Sequence, residues 1–187
     1  GAFRGIARMI AYEVPMGVCV ISVAVMAHSL NLVEIVESQT VWYAFAQPLG
    51  FVIFMIALGT DLGRVPFDQS EAEEEIICGY STEYSGIRWG LLYFQEYNNF
   101  LLGSILVSLL FLGGWHGPII PIPLLDMVSP MIWLLMKVII VIWFIILIRA
   151  ALFRLRIDQV TDLGWKWMLP LSILNLGWAV IVGSYFA

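Results

Sequence analysis

The sequence has 187 residues, 61% of them hydrophobic and 12% charged, with a net charge of −5. A soluble domain is about 45–50% apolar and about 25% charged, so an ordinary soluble globular protein is excluded. The apolar excess comes in long runs, and no ten-residue alternation of the kind that builds a membrane barrel is visible.

A span needs roughly 20 mostly apolar residues to cross a ~30 Å hydrocarbon layer. Its backbone must satisfy itself there, so such runs read as helices. The opening "GAFRGIARMIAYE" has no initiator Met, no basic-then-apolar leader and no cleavage site. It reads as the start of a fragment or of a truncated reading frame. Five spans are predicted in chain order: 10–30, 43–60, 89–112, 131–152 and 167–186. The third carries a polar patch, 95–99, near its start. Gly113, Gly114 and the prolines Pro118, Pro121 and Pro123 mark the connection between the third and fourth as a loop. The fold class is therefore an all-α integral membrane protein, read as one transmembrane domain over 1–187.

The basic residues orient it. Arg4 and Arg8 precede the first span, Arg64 and Arg88 lie between the second and third, and Arg149, Arg154, Arg156 and Lys166 lie between or at the ends of the fourth and fifth. These places fall on one side of the membrane, and eight of the nine basic residues are there. The other side has Glu34, Glu37 and Asp126. By the positive-inside rule the basic side is cytoplasmic, or matrix or stroma in an organelle. The C-terminus is then on the opposite side.

Cys19 and Cys78 have no metal-like spacing and read as buried thiols. A haem bundle needs paired axial ligands. The only two histidines, His28 and His116, sit near predicted helix ends, which argues against a cytochrome.

The segment 61–83, "DLGRVPFDQSEAEEEIICGYSTE", stands apart: seven carboxylates in 23 positions with one arginine. It heads an acidic cytoplasmic loop, 61–88. A solvated loop is the plain reading, but Pro66, Phe67, Ile76, Ile77 and Tyr80 are interspersed and should pack. Glu71, Glu74 and Glu75 lie at i, i+3 and i+4, so on a helix they share a face. Carboxylates that close repel, and at least one should hold its proton more tightly. Ser70 is placed to cap such a helix, with Glu73 at the capping-box position.

Further charges lie in the spans. Glu13 opens an apolar run, and Glu96 sits in "YFQEYNNF", eight residues beyond Arg88. A charge at the centre of a span costs at least ~2.5–3.5 kcal/mol, so such residues pair or line a wet path. Glu13 is open to pairing with Arg4 or Arg8. Lys137, inside the fourth span, either snorkels outward or meets an intramembrane carboxylate. Together Asp61, Glu71, Glu73, Glu74, Glu75, Glu83, Glu96 and Glu13 form a set of titratable sites running from loop to membrane. The composition is that of a proton pathway.

The residues of this loop carry a resemblance. "GRVPFDQSEAEEEIICGYSTEYSG" resembles subunit 1 of the complex I-type NADH dehydrogenases, the H subunit in bacteria. There an R-x-P-F-D segment is followed by E-A-E-x-E, a glycine and E-Y-S-G. Here these are Arg64, Pro66, Phe67, Asp68, Glu71, Glu73, Glu75, Gly79 and 83–86. The likeness extends to Arg4 and "YEV" at 12–14, "EYNN" at 96–99, "IRAALFRLRIDQ" and then Trp165, Lys166 and Pro170. It covers essentially the whole chain in order.

The resemblance implies a helical membrane subunit of about eight spans, of which this chain would carry the C-terminal five and lack the N-terminal ones. Such a subunit walls the quinone chamber where the membrane arm meets the hydrophilic arm. It implies Asp61, Glu71, Glu73, Glu75, Glu96 and Glu13 as the proton path that couples quinone reduction to pumping. It puts Arg64, Phe67 and Asp68, with Arg154 and Arg156 on the second cytoplasmic loop, at the quinone chamber. No cofactor or metal is expected on the subunit itself. Quinone is the substrate, and NADH, flavin and iron–sulfur clusters belong to partner subunits. Expected partners are quinone-site iron–sulfur subunits, antiporter-like membrane subunits and the lipid membrane; nucleic acid is not expected. The implied location is a prokaryotic cell membrane, with an organellar inner membrane or thylakoid as the alternative.

Some positions depart from the family pattern. Thr60-Asp61 stands where Ala-Glu is common, Phe153 precedes Arg154 where proline is usual, and Ile157 replaces a tyrosine. Three rival readings are weighed against this one. The homologous subunit of a membrane-bound hydrogenase shares a related acidic loop, but the P-F-D and E-Y-S-G segments favour the dehydrogenase. A stand-alone proton or cation transporter would show internal repeats or broken helix pairs, and neither is visible. A passive anchor has no reason to carry Glu13, Glu96 and Lys137.

Overall fold

The computed structural model describes residues 2–63, 67, 83–117, 128–153 and 155–186. Every regular element among them is helical. In chain order they are α1 (Ala2–Ala27), α2 (Leu32–Glu37), α3 (Tyr43–Ala46), α4 (Pro48–Asp61), α5 (Ile87–Phe111), α6 (Ser129–Ala151), α7 (Ile157–Asp162), a π-helical turn (Leu163–Met168) and α8 (Leu169–Phe186). Among the described residues, three stretches are long and apolar enough to cross a membrane: Phe3–Ala27, Ser129–Ala151 and Ile157–Ser184. The chain is a multi-pass helical membrane protein.

Helices stand at all five predicted places, but α5, at the third, is not among the stretches apolar enough to cross, its polar patch at 95–99 lowering its hydropathy; four further corrections follow. The first span starts earlier, so Arg4 and Arg8 lie within α1 rather than before it. Arg8 is tolerated there because a loop carbonyl meets its guanidinium, as described below. The second predicted span is broken. Gln47 leaves helical geometry between α3 and α4, and Pro48 restarts the helix at its first position. The 14 residues of α4 span about 21 Å, short of the hydrocarbon layer. The fifth span begins with α7 and runs through the π turn into α8. Lys166 is therefore a helical residue, paired with Asp162 at 2.6 Å across one turn.

The fourth correction concerns Lys137, which neither snorkels nor meets a carboxylate among the described residues. Only 6% exposed, its Nζ donates to the carbonyls of Leu112, Gly114 and His116 at 2.7, 2.9 and 2.6 Å. It also lies 5.3 Å from the centroid of the Trp42 ring. The last carbonyls of a helix have no intrahelical partner and carry its negative pole. Lys137 and Gln39, whose Nε2 donates to Leu109 and Leu110, close the end of α5.

The break before α4 is met in a similar way. The amide of Gly50, in the first turn of α4, has no partner in its own helix. It donates to Oδ1 of Asn175 on α8 at 3.1 Å. The Asn175 amide donates to Ser22 Oγ at 2.9 Å and Gln47 Oε1 at 3.1 Å. Ser22 bonds Gln47 Oε1 at 3.0 Å, and the Gln47 amide reaches the Ser22 carbonyl and the Met26 sulfur. All three side chains are buried. An uncharged polar knot thus joins α1, α4 and α8 where one helix is interrupted.

The core lies where α1 packs on α8 and α4, with Cys19, Val23, Phe54, Ala57, Leu58 and Ala179 buried. α4 reaches α5 through Phe51, Phe54 and Phe111. Pro15 lies inside α1 and cannot donate to the Ala11 carbonyl. Gly164 of the π turn closes on that carbonyl: a Cβ at Gly164 would come within 2.8 Å of its oxygen.

Candidate functional site

At the end of the bundle from which the acidic loop leaves, α1 presents Arg8, Tyr12 and Glu13 within about one and a half turns. Residues at i and i+4 share a helix face, so Arg8 and Tyr12 look the same way. Both are buried, at 7% and 2% exposure, while Glu13 is exposed beside them. Opposite lies the C-terminal turn of α4, with Ala57, Thr60 and Asp61. A narrow groove between the helices is lined by Arg8, Tyr12, Glu13, Thr60 and Asp61, with Met9, Met16 and Ala57. Two of the predicted proton-path carboxylates, Glu13 and Asp61, therefore share one cleft. It sits at the root of the acidic loop.

Tyr12 and Arg8 hold both loops, the one after α4 and the one before α7. The Tyr12 hydroxyl donates to the Val160 carbonyl of α7 at 2.8 Å, and its ring lies 5.9 Å from that of Phe67. Arg8 Nη1 donates to the Phe67 carbonyl at 3.0 Å. Phe67 is 7% exposed. Arg156, the residue before α7, is exposed. Its carbonyl accepts from the Val160 amide at 3.0 Å, so it sits one turn from the Tyr12 contact.

Behind Phe67 an apolar cavity of about 400 Å³ lies between α4 and α6. Phe51, Met55 and Gly59 of α4 line it, with Phe144 and Ile148 of α6. Leu152, Phe153 and Leu155 of the second loop close its end, with Leu163 of the π turn. Phe67 belongs to its wall and simultaneously backs onto Tyr12.

Glu96 lies apart, on α5 and half-buried. It is on the stripe that continues through Phe100, Gly103 and Val107, the face α5 turns to the core. The E-Y-S-G segment ends on Gly86, which precedes α5 with a φ of 63°, a conformation that favours glycine. Arg64, Asp68, Glu71, Glu73, Glu75 and Arg154 lie outside the described residues, as does Cys78; Cys19 is a buried free thiol. Among the described residues no three His, Cys, Asp or Glu side chains converge in a way that would hold a metal ion. Sequence reading missed Arg8 and Tyr12 as site residues. The available signal was their i, i+4 spacing on an apolar helix and the need of a buried Tyr hydroxyl for a partner.

Residues 1–180 match the family model described as NADH dehydrogenase. The chain is 54% identical to the H subunit of the F(420)H(2) dehydrogenase of Methanosarcina mazei over 189 residues, covering 99% of this chain and 54% of that one. It is 46% identical to the H subunit of the NADH-quinone oxidoreductase of Dehalococcoides mccartyi, over 94% of this chain and 48% of the relative. The chain spans about half the length of the curated relatives it matches. A solved structure of the membrane-bound sulfane sulfur reductase, an archaeal respiratory membrane complex, superposes with a TM-score of 0.83 at 30% identity. That match covers 98% of this chain and 59% of the other. A family match over nearly the whole length, on a helical membrane fold, shows that the chain belongs to the NADH dehydrogenase family.

Proposed function

We propose that this chain serves in a membrane subunit of a proton-pumping quinone oxidoreductase of the complex I type. In this reading a quinone or quinone-like carrier is reduced against its cytoplasmic face. The observation that carries the proposal is the placement of Glu13 and Asp61 in one groove with Tyr12, whose ring packs on Phe67 in the wall of an apolar cavity. A lipid-soluble carrier needs apolar walls, and a proton path needs carboxylates nearby. Here Phe67 lines the cavity and packs on Tyr12, which lines the groove.

The path runs from Glu71, Glu73 and Glu75 of the acidic loop (61–88) through Asp61 and Glu13 toward Glu96. Arg64, Phe67, Asp68, Arg154 and Arg156 face the carrier. Reduction changes the charge at the loop. Charges ~4 Å apart interact by on the order of 4 kcal/mol at an effective dielectric of 20, enough to move a proton affinity by about three pKa units. Protons then redistribute along the carboxylates. The subunit itself supplies the wall and the path; electrons come from an iron–sulfur cluster in a partner subunit, and antiporter-like subunits continue the membrane arm in a prokaryotic cell membrane.

The donor reading favours F(420)H(2) over NADH, because identity is 54% to relatives named for the former and 46% and 42% to two named for the latter. The test is purification of the complex through this subunit from native membranes in mild detergent, with identification of the accompanying subunits. The preparation is then assayed for quinone reduction with F(420)H(2) and with NADH. Iron–sulfur and antiporter-like subunits with donor-dependent quinone reduction are expected. Nickel-site subunits in their place would move the assignment to a hydrogenase, and a lone polypeptide would return it to a transporter.

A further inference from the structure

We propose that Arg8 is a positioning residue for Phe67, through which α1 fixes one wall of the apolar cavity beside the carboxylate groove. The inference deepens the reading above and rests on it. Three observations carry it. The Phe67 ring lines the cavity and packs on Tyr12. Its backbone carbonyl is held by Arg8 Nη1 at 3.0 Å, and both residues are only 7% exposed. Arg8 also lines the groove that holds Glu13 and Asp61, and it packs on Gly63, where the chain leaves α4.

The physical logic lies in the choice of side chain. A guanidinium stays protonated and presents several donors in a rigid plane. Burying it is expensive, and a neutral donor would hold a carbonyl with less desolvation. A fixed cation that bonds the loop and also lines the carboxylate groove links two things. The charge state of Glu13 and Asp61 acts on the same group that holds Phe67 in the cavity wall. Arg8 touches neither carrier nor transferred proton; it acts through Phe67.

The test uses the assembled complex with Arg8→Met and Arg8→Lys, assayed with a long-tailed and a short-tailed quinone. Hydrogen exchange is followed in peptides covering Phe67. For Arg8→Met, the KM for the long-tailed quinone should rise about fivefold or more, with kcat within about twofold and the short-tailed KM little changed. Exchange at Phe67 should quicken, and Arg8→Lys should restore part of both. Should Arg8→Met fail to assemble, Arg8→Leu is read in the same way. Unchanged exchange at Phe67, or an equal fall of kcat and kcat/KM for both quinones, would overturn the inference while leaving the proposed function standing. Absence of quinone reduction in the unmutated complex would overturn the proposed function, and with it the role given to Arg8.

Discussion

The hydroxyl of Tyr12 donates to the backbone carbonyl of Val160 at 2.8 Å, tying α1 to α7 across 148 positions of sequence. The same ring stacks obliquely on Phe67, so one side chain meets both loops at this end of the bundle. Changing Tyr12 to Phe keeps the ring and removes the donor. The Val160 carbonyl keeps the Leu163 amide as a partner, so the loss is that of one hydrogen bond, about 0.5–1.5 kcal/mol. The variant should lose its fold at lower temperature in detergent, read by thermal inactivation of the complex, and hydrogen exchange should rise around 157–162. Exchange equal to wild type there would show that this bond does not hold the loop.

Neutral replacements test the carboxylates. Glu13→Gln, Asp61→Asn and Glu96→Gln should each lower proton pumping and quinone reduction together, several-fold, with assembly intact. Pumping is read by a pH-sensitive dye in vesicles and reduction by quinone absorbance. Glu13 and Asp61 share a groove, so the double variant should fall short of additive, as residues acting in one network do. Wild-type coupling in Glu96→Gln would remove Glu96 from the path.

Lys137 makes its own prediction. Lys137→Met removes the donor to three carbonyls, of the α5 C-cap Leu112 and of Gly114 and His116 in the turn after it. Hydrogen bonds to charged groups contribute about 1.5–3 kcal/mol each, so the loss should exceed that of an ordinary surface change. Exchange should increase across 112–117, and heat stability should fall. Lys137→Arg should rescue poorly, because a compact ammonium and a planar fork are not interchangeable in a site of converging carbonyls.

Asn175→Ala removes the outside cap of α4 and opens the knot with Ser22 and Gln47. Side-chain hydrogen bonds between membrane helices average about 0.6 kcal/mol and reach about 1.7. With three such bonds involved, a loss of roughly 1–3 kcal/mol is expected, read as a lower midpoint in denaturant-challenged detergent. Quinone reduction at low temperature should stay near wild type, since the knot lies away from the groove.

Gly164→Ala tests the close contact behind the π turn. The added Cβ meets the Ala11 backbone carbonyl at 2.8 Å, which cannot swing aside as a side chain would. Overpacking of this kind costs about 1–3 kcal/mol. The variant should accumulate less assembled complex on native gels.

The sequence by itself determined the membrane class, the places of the five helices and the family. Hydropathy is a property of local runs, and a motif is a property of spacing; neither needs a neighbour to be read. It also marked Glu13, Asp61 and Glu96, because an ionisable residue in an apolar run stands out by its cost. What it left open was how those costs are met. Arg8 reads in sequence as preceding a span, yet it is buried in a helix, its charge answered by a carbonyl 59 residues away in sequence. Lys137 offered two readings, and a third held: the end of another helix. The break at Gln47 was signalled in sequence only by Pro48, in a run 43–60 otherwise apolar apart from Gln47 and the terminal Thr60, and the knot with Asn175 that makes an interrupted helix tolerable there was not legible. Each of these depends on which helix end or loop lies within about 3 Å of a polar group, the ordinary hydrogen-bond reach. That distance is set by packing, and so only the tertiary structure decides it.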